Sequence, residues 1–293
     1  MSNQKTIKTE KPNIIYHYTT ADAFINILKE RSLWASDIHY MGDTTELTQP
    51  LDLAEAAIEM TEIAANIRYP KTKQLHNEIA QSMKNSVLTS KRVNIFVASF
   101  CTKGDLLSQW RGYGIPGPVY AIGFDRKKLI NKIRPYSFSL RKCKYYSSSD
   151  YKIDIHLHVE KYFLNKRNNS NSECSNFSDE FTQEKAVTMK YDYFEEEKEW
   201  RIISVKPLKS NDAKAGFRGG KSVIIPYYAV PINLDSIVEI IVGPCPHQNL
   251  AIESVWGLSF KYKLNNMPIP LTHQGTICSR SLNSADDRLS LGY

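Results

Sequence analysis

Three groups of residues far apart in the chain carry side chains suited to work on a ribosyl bond. They are Tyr16-His17-Tyr18-Thr19 near the start, Leu33-Trp34-Ala35-Ser36 soon after it, and Glu197-Lys198-Glu199-Trp200-Arg201 much later. A histidine and a hydroxyl can orient a ribose and an amide, an aromatic can stack on a flat ring, and a carboxylate can stabilise positive charge growing on a sugar carbon. His17 offers a ring nitrogen to a ribose hydroxyl, and Thr19 with its local backbone can hold a carboxamide; the plain alternative is a structural histidine at a sheet edge. Most carboxylates of Glu195-Glu196-Glu197-Lys198-Glu199 belong to a solvated acidic stretch. Glu199 stands apart because it opens the apolar run Trp200 to Val205, where a sheet can fix it. The Glu-x-Glu spacing puts Glu197 on the same side if the strand reaches back that far.

The elements that must position these groups can be read from patterning. Asn13 to Tyr18 is β-branched and aromatic and predicts a strand, and Thr19 with Asp22 has the form of a capping box opening a helix that buries Phe24, Ile27 and Leu28. Leu33 to Ser36 predicts a short strand. Two helices follow, about Thr44 to Arg68 and Thr72 to Ser90, as a hairpin broken at Tyr69-Pro70. Val93 to Cys101, apolar on both faces, suits a central strand, and Val119–Phe124, Glu199–Val205, Ser222–Ile225 and Ile237–Val242 are further strands. Asp105 is placed to cap a short helix through Trp110. Residues 165–178, rich in Asn and Ser, predict a mobile loop, while Gly216 to Lys221 lacks the register of a phosphate loop and predicts a basic surface turn.

With 38 Lys and Arg against 31 Asp and Glu, the chain has a formal charge of +7, compatible with a polyanionic partner or with ordinary solubility charge. The five cysteines are odd in number and scattered without a C-x-x-C pair, which argues against a disulfide framework or zinc site and fits a reducing cytoplasm. His156 and His158 lack partners at zinc spacing, so no metal is expected. No eighteen apolar residues run together and Met1 to Pro12 has no apolar export core, so no membrane association is expected. The expected organisation is a flexible segment 1–12, one domain over 13–280 and a flexible tail 281–293.

The order of these motifs resembles the ADP-ribosyltransferase superfamily, in the branch identified by His, Tyr and Glu. His17-Tyr18-Thr19 is similar to its His-Gly-Ser/Thr start, with Tyr18 in place of glycine, and Trp34-Ala35-Ser36-Asp37-Ile38-His39-Tyr40 is similar to the segment whose aromatics sandwich nicotinamide in diphtheria-type toxins. Together with Val97-Ala98-Ser99-Phe100, Leu107-Ser108-Gln109-Trp110-Arg111-Gly112-Tyr113 and Glu197-x-Glu199-Trp200-Arg201, the chain resembles a bacterial family of domains of unknown function over roughly 13 to 280.

The resemblance implies an α+β fold with a split, twisted β-sheet of ADP-ribosyltransferase type and an inserted helical hairpin. It implies NAD as substrate, Glu199 on the 2′-hydroxyl of the nicotinamide ribose, and Glu197 activating the acceptor. His17, Thr19 and Ser36 would hold the cofactor, with Trp34 or Tyr40 on the ring unless Trp34 is simply core. Arg111 and Arg201 would reach the pyrophosphate unless they serve the surface or salt bridges, and Ser108, Trp110 and Tyr113 would line the pocket unless they are packing. The implied activity is transfer of ADP-ribose to a macromolecular acceptor, with DNA or RNA as candidates, in a toxin or antiviral-defence role with a regulatory partner or antitoxin. NAD glycohydrolysis, or a non-catalytic module that binds ADP-ribose or nucleic acid, are the alternatives.

Overall fold

The computed structural model describes residues 13–264 apart from 42–44, 114–118, 169–176, 178–180, 183–184, 206–211 and 221. The expected flexible ends, 1–12 and 281–293, lie outside the described residues.

The first strand, β1 (Ile14–Thr20), leads into α1 (Ala21–Glu30), whose Phe24, Ile27 and Leu28 are buried as their spacing predicts. Thr19 is inside the strand, and Thr20 stands at the cap position without a side-chain hydrogen bond, so the expected capping box is not formed. Arg31, in the left-handed region at φ 50°, ends the helix and turns the chain into β2 (Ser32–Asp37). The helical hairpin is α2 (Thr45–Arg68) and α3 (Lys73–Ser90), with a 3-10 turn at Pro70–Thr72 between them. After β3 (Ile95–Cys101) come α4 (Leu107–Tyr113), β4 (Val119–Asp125), α5 (Arg126–Ile133), β5 (Ser139–Lys142), β6 (Lys144–Tyr146) and α6 (Ser148–Asn168). The described residues continue with β7 (Met189–Tyr191), β8 (Glu199–Val205), β9 (Ala215–Gly219), β10 (Ile224–Pro231), β11 (Ile237–Val242) and α7 (Gln248–Lys261).

Two further expectations fail. Residues 165–168 close α6, which also carries His156 and His158, and Phe177 is buried in the core, so the polar stretch 165–178 is not wholly loop. The segment expected as a basic turn forms β9, because its backbone pairs with β10 from Ala215 to Gly219. No helix among the described residues is long and apolar enough to cross a membrane.

Among the described residues the main sheet has nine strands, is antiparallel throughout and forks at β3. A strand has two edges, and β8 occupies one edge of β3 along its whole length, from Ile95↔Val205 to Cys101↔Glu199. The other edge is therefore shared. There β1 pairs only at Tyr16↔Cys101, and β2 only at Ser36↔Val97 and Asp37↔Phe96. One wing continues as β1-β4-β11 and the other as β2-β10-β9. The backbone of β3 between these contacts would lack partners, and His17 Nδ1 meets the Ser99 carbonyl there at 2.9 Å. A carbonyl only accepts, so Nδ1 carries the proton, and burial lowers the pKa of the ring and favours its neutral form.

His17 thus bridges the fork, and His17→Ala is expected to destabilise the protein by about 1–3 kcal/mol, because the Ser99 carbonyl loses its partner. A urea midpoint measures this. A folded variant of unchanged midpoint but weaker ligand affinity would instead mark His17 as a binding residue.

One face of the sheet, with Ile15, Leu33, Ala35, Phe96, Phe100 and Ile202, packs on α1, α5 and α7. The other carries two clusters. Ile95, Val97 and Ile203 pack under α2, α3 and α6, while Tyr18, Cys101 and Ala121 pack with Leu106 and Trp110 beside α4. The charged site lies on this second face.

Candidate functional site

Register fixes which side chains share the site. The pairs Tyr16↔Cys101, Cys101↔Glu199 and Ser99↔Arg201 put Tyr16, Tyr18, Ser99, Cys101, Glu199 and Arg201 on one face of the sheet. They line a cavity of about 250 Å³, closed by Met41 and Glu46 at the start of the helical hairpin, by Ser108 and Tyr113 of α4, and by Lys190 and Glu197.

At its base is a buried ion cluster. Glu199 opens β8 after Lys198, whose left-handed conformation (φ 43°) makes the turn. Its backbone is held on both sides, by the Tyr145 hydroxyl accepting from its N–H at 2.7 Å and by the Cys143 N–H donating to its carbonyl at 2.9 Å. Arg201 Nε donates to Glu199 Oε1 at 2.8 Å and Nη2 to Oε2 at 3.0 Å. The same Nη2 donates to Glu46 Oε2, and Nη1 to the Val187 carbonyl at 2.7 Å. Lys190 Nζ meets Glu46 at 3.2 Å, Glu197 at 2.5 Å and Glu199 at 3.0 Å. Three carboxylates thus face two cations, leaving one negative charge in excess.

The two glutamates of the Glu-x-Glu block are driven in opposite directions. Burial alone would raise the Glu199 carboxyl, but the charges of Arg201 and Lys190 and the Arg201 hydrogen bonds hold it down at about 2. Ser99 Oγ, buried without a well-formed hydrogen bond, lies close enough to Glu199 to help keep it ionised. Glu197 has one cation, Lys190, and two like-charged neighbours. Its partial burial outweighs the Lys190 contact, and its pKa is raised. Burial would likewise lower Lys190, but Glu199 and Glu46 raise it, so it stays charged.

An acid-stability limb follows. Because the folded pKa of Glu199 lies near 2 against an ordinary value of 4.5, the unfolded chain binds more protons between these values. Stability contributed by this group is present above about pH 4.5 and is lost as pH falls towards 2. Thermal unfolding followed from pH 6 down to pH 2 is expected to show this loss, with a shallower limb in Glu199→Gln.

The sequence motifs divide between this cavity and other places. Glu197, Glu199 and Arg201 meet in it, although Glu197 arrives through the turn at Lys198 and not by strand alternation. Arg201 is fully buried with its donors engaged inside the cluster, so it organises carboxylates rather than offering an open anion site. His17 and Thr19 alternate onto the opposite face, Thr19 buried. Trp34 stacks on Tyr227 and Ser36 Oγ accepts from Arg218, both outside the cavity lining. Tyr40 is exposed on a 3-10 turn one residue before Met41, and Arg111 is exposed on α4. Trp110 is a second layer behind Tyr18, the two ring centroids 4.7 Å apart at 67° and its Nε1 donating to Asp105 at 2.7 Å.

Sequence reasoning missed Glu46, Lys190, Tyr16 and Tyr18 as site residues. The tyrosines could have been found by testing the other parity of β1.

Residues 109–202 match a family described as a protein of unknown function, DUF2971. The DUF2971 match is shorter than the span of 13 to 280 expected from the motifs, running from α4 to β8. It includes Lys190, Glu197, Glu199 and Arg201, whereas Glu46 lies outside it. No curated protein and no solved structure matches the chain.

Proposed function

We propose that the cavity binds the nicotinamide–ribose end of NAD, breaks the bond between them and passes ADP-ribose to a macromolecular acceptor. The observation that carries this reading is the pair of carboxylates two residues apart in one cavity, Glu199 buried on Arg201 and Lys190 and Glu197 on Lys190, surroundings that push their pKa values in opposite directions. Environments that separate two carboxyls in this way give them different roles. Glu199, ionised at every working pH, supplies fixed negative charge beside a ribose that becomes an oxocarbenium ion. Glu197, easier to protonate and nearer the solvent, takes the proton of the acceptor as it attacks.

The bond accounting closes on these two groups. The C1′–N bond breaks with its electron pair leaving on nicotinamide, which departs neutral. The acceptor nucleophile forms a new bond to C1′ and gives its proton to Glu197. With water as acceptor the same steps give free ADP-ribose. The excess negative charge favours a cationic nicotinamide ring over a neutral one. At about 250 Å³ the cavity is just under the roughly 300 Å³ of a typical small-ligand site, a size for a ring and a sugar, leaving the rest of the dinucleotide outside. Tyr113, stacked at 25° to Tyr18 with ring centres 6.4 Å apart, offers the flat aromatic wall in place of Trp34.

Incubating the purified chain with NAD, alone and with RNA or DNA, tests the proposal. Free nicotinamide is expected, with the ADP-ribose mass added to the acceptor in the transferase case and released in the hydrolase case. NAD left intact under every condition would refute it.

A further inference from the structure

The wing formed by β2, β10 and β9 carries a second cluster, and none of its four members lines the cavity. Register pairs Ser36 with Tyr227 and Tyr227 with Gly216, so Trp34, Ser36, Tyr227 and Arg218 share one face, opposite the buried Leu33, Ala35 and Tyr228. The rings of Trp34 and Tyr227 stack at 4.4 Å and 20°. Gly216 lets Tyr227 lie across β9, since a Cβ at that position would sit 2.6 Å from the ring. The tyrosine thereby supports one face of Trp34, and among the described residues no second aromatic covers the other.

Arg218 stands beside this platform in an unusual condition for a partly buried cation. Its Nη2 donates to Ser36 Oγ at 3.0 Å, and no carboxylate among the described residues pairs with it. A guanidinium has five N–H donors in a planar fork, and it keeps its charge even where burial lowers its pKa, as it does here. Taking a cation partly out of water without a counter-charge is unfavourable, and an arriving anion offsets that cost. The anion that suits a guanidinium fork next to a hydroxyl and a partly exposed indole is a phosphate attached to a flat base.

We infer that Arg218, Ser36 and the Trp34–Tyr227 stack form a nucleotide-phosphate site, with the phosphate on Arg218 and Ser36 and the base on Trp34. This goes beyond the reading of the cavity and does not depend on it. The phosphate can belong to a free mononucleotide or to a single-stranded nucleic acid, and the two sources are separable by probe.

The full chain is titrated with AMP, with adenosine and with a single-stranded decanucleotide, following tryptophan fluorescence and, for a labelled strand, anisotropy. Saturable binding is expected for AMP or for the strand, at least tenfold weaker for adenosine than for AMP where AMP binds. Arg218→Gln should weaken binding at least tenfold and Arg218→Lys less. Trp34→Phe should remove most of the quenching while keeping most of the affinity, which also covers the case in which an arginine variant folds poorly. Binding of AMP identifies the free nucleotide as sufficient, and binding of the strand alone identifies a polymer. The inference is overturned if neither probe binds, or if folded Arg218 variants bind as the wild type does. It is equally overturned if affinity falls with Glu197→Gln but not with Arg218→Gln, which would seat the ligand in the cavity. NAD cleavage, scored separately, is untouched by either result.

Discussion

Arg201→Met is expected to cost the fold about 3–5 kcal/mol, the range seen when one partner of a buried ion pair is removed. The reason is specific to this site. Arg201 is 1% exposed and satisfies Glu199 twice and Glu46 once, and it also caps the Val187 carbonyl. Methionine fills much of the space but leaves two carboxylates with only Lys190 between them and Glu197. At this chain length each kcal/mol moves the melting temperature by roughly 2–4 °C, so a fall of roughly 6–20 °C in a thermal scan is the expected reading. Arg201→Lys keeps the charge but loses the fork, and should fall between methionine and wild type. A melting temperature unchanged by methionine would mean that the cluster is not held together as described.

The second large effect is on turnover and separates the two glutamates. Glu199→Gln keeps the shape and removes the fixed charge, and is expected to slow nicotinamide release roughly a hundredfold or more. Glu197→Gln removes the proton acceptor, and should slow transfer to the acceptor by about 10²-fold or more. Departure of nicotinamide should be affected less. Both products are measured in one reaction, nicotinamide by chromatography and acceptor-bound ADP-ribose by mass. If Glu197→Gln were the more damaging change for nicotinamide release, the two roles would be reversed.

The parts of the fold legible in sequence were those where local pattern and final burial agree. β3 and β4 are apolar on both faces and lie inside the sheet, β8 and the edge strand β11 are carried by their apolar runs Ile202-Ile203 and Ile240-Ile241-Val242, and the hairpin of α2 and α3 shows its period and its break at Tyr69-Pro70. β10 was cut short because Pro226 reads as a strand end. The proline is tolerated because β2 begins pairing with β10 only at Tyr227, so one edge of β10 is unpaired at that point. β5, β6 and β7 are three or four residues long and rich in lysine, with too few positions to display a period.

The site was legible by residue type and illegible by parity. In Tyr16-His17-Tyr18-Thr19 the alternation is plain, but nothing in the sequence says which set faces the carboxylates, and it is the tyrosines that do. Glu199 and Glu197 could be singled out because they precede an apolar strand. Lys190 could not, since a lysine is normally solvated and its burial is decided by three carboxylates, one of them Glu46, 144 positions away in sequence. Trp34 has the chemistry of a stacking residue, but the fork at β3 carries it onto the other wing.

The division of work between Glu197 and Glu199 is open to a single decisive measurement, the pH dependence of both products from pH 4 to pH 9. Glu197 must be ionised to accept a proton, and its pKa is raised, so transfer to the acceptor should fall as pH drops through a value above the ordinary glutamate range. Nicotinamide release, which needs only the charge on Glu199, should show no such limb until far more acid conditions. The limb in transfer should vanish in Glu197→Gln. Nicotinamide absent at every pH, or an acid limb that persists unchanged in Glu197→Gln, would contradict the assignment.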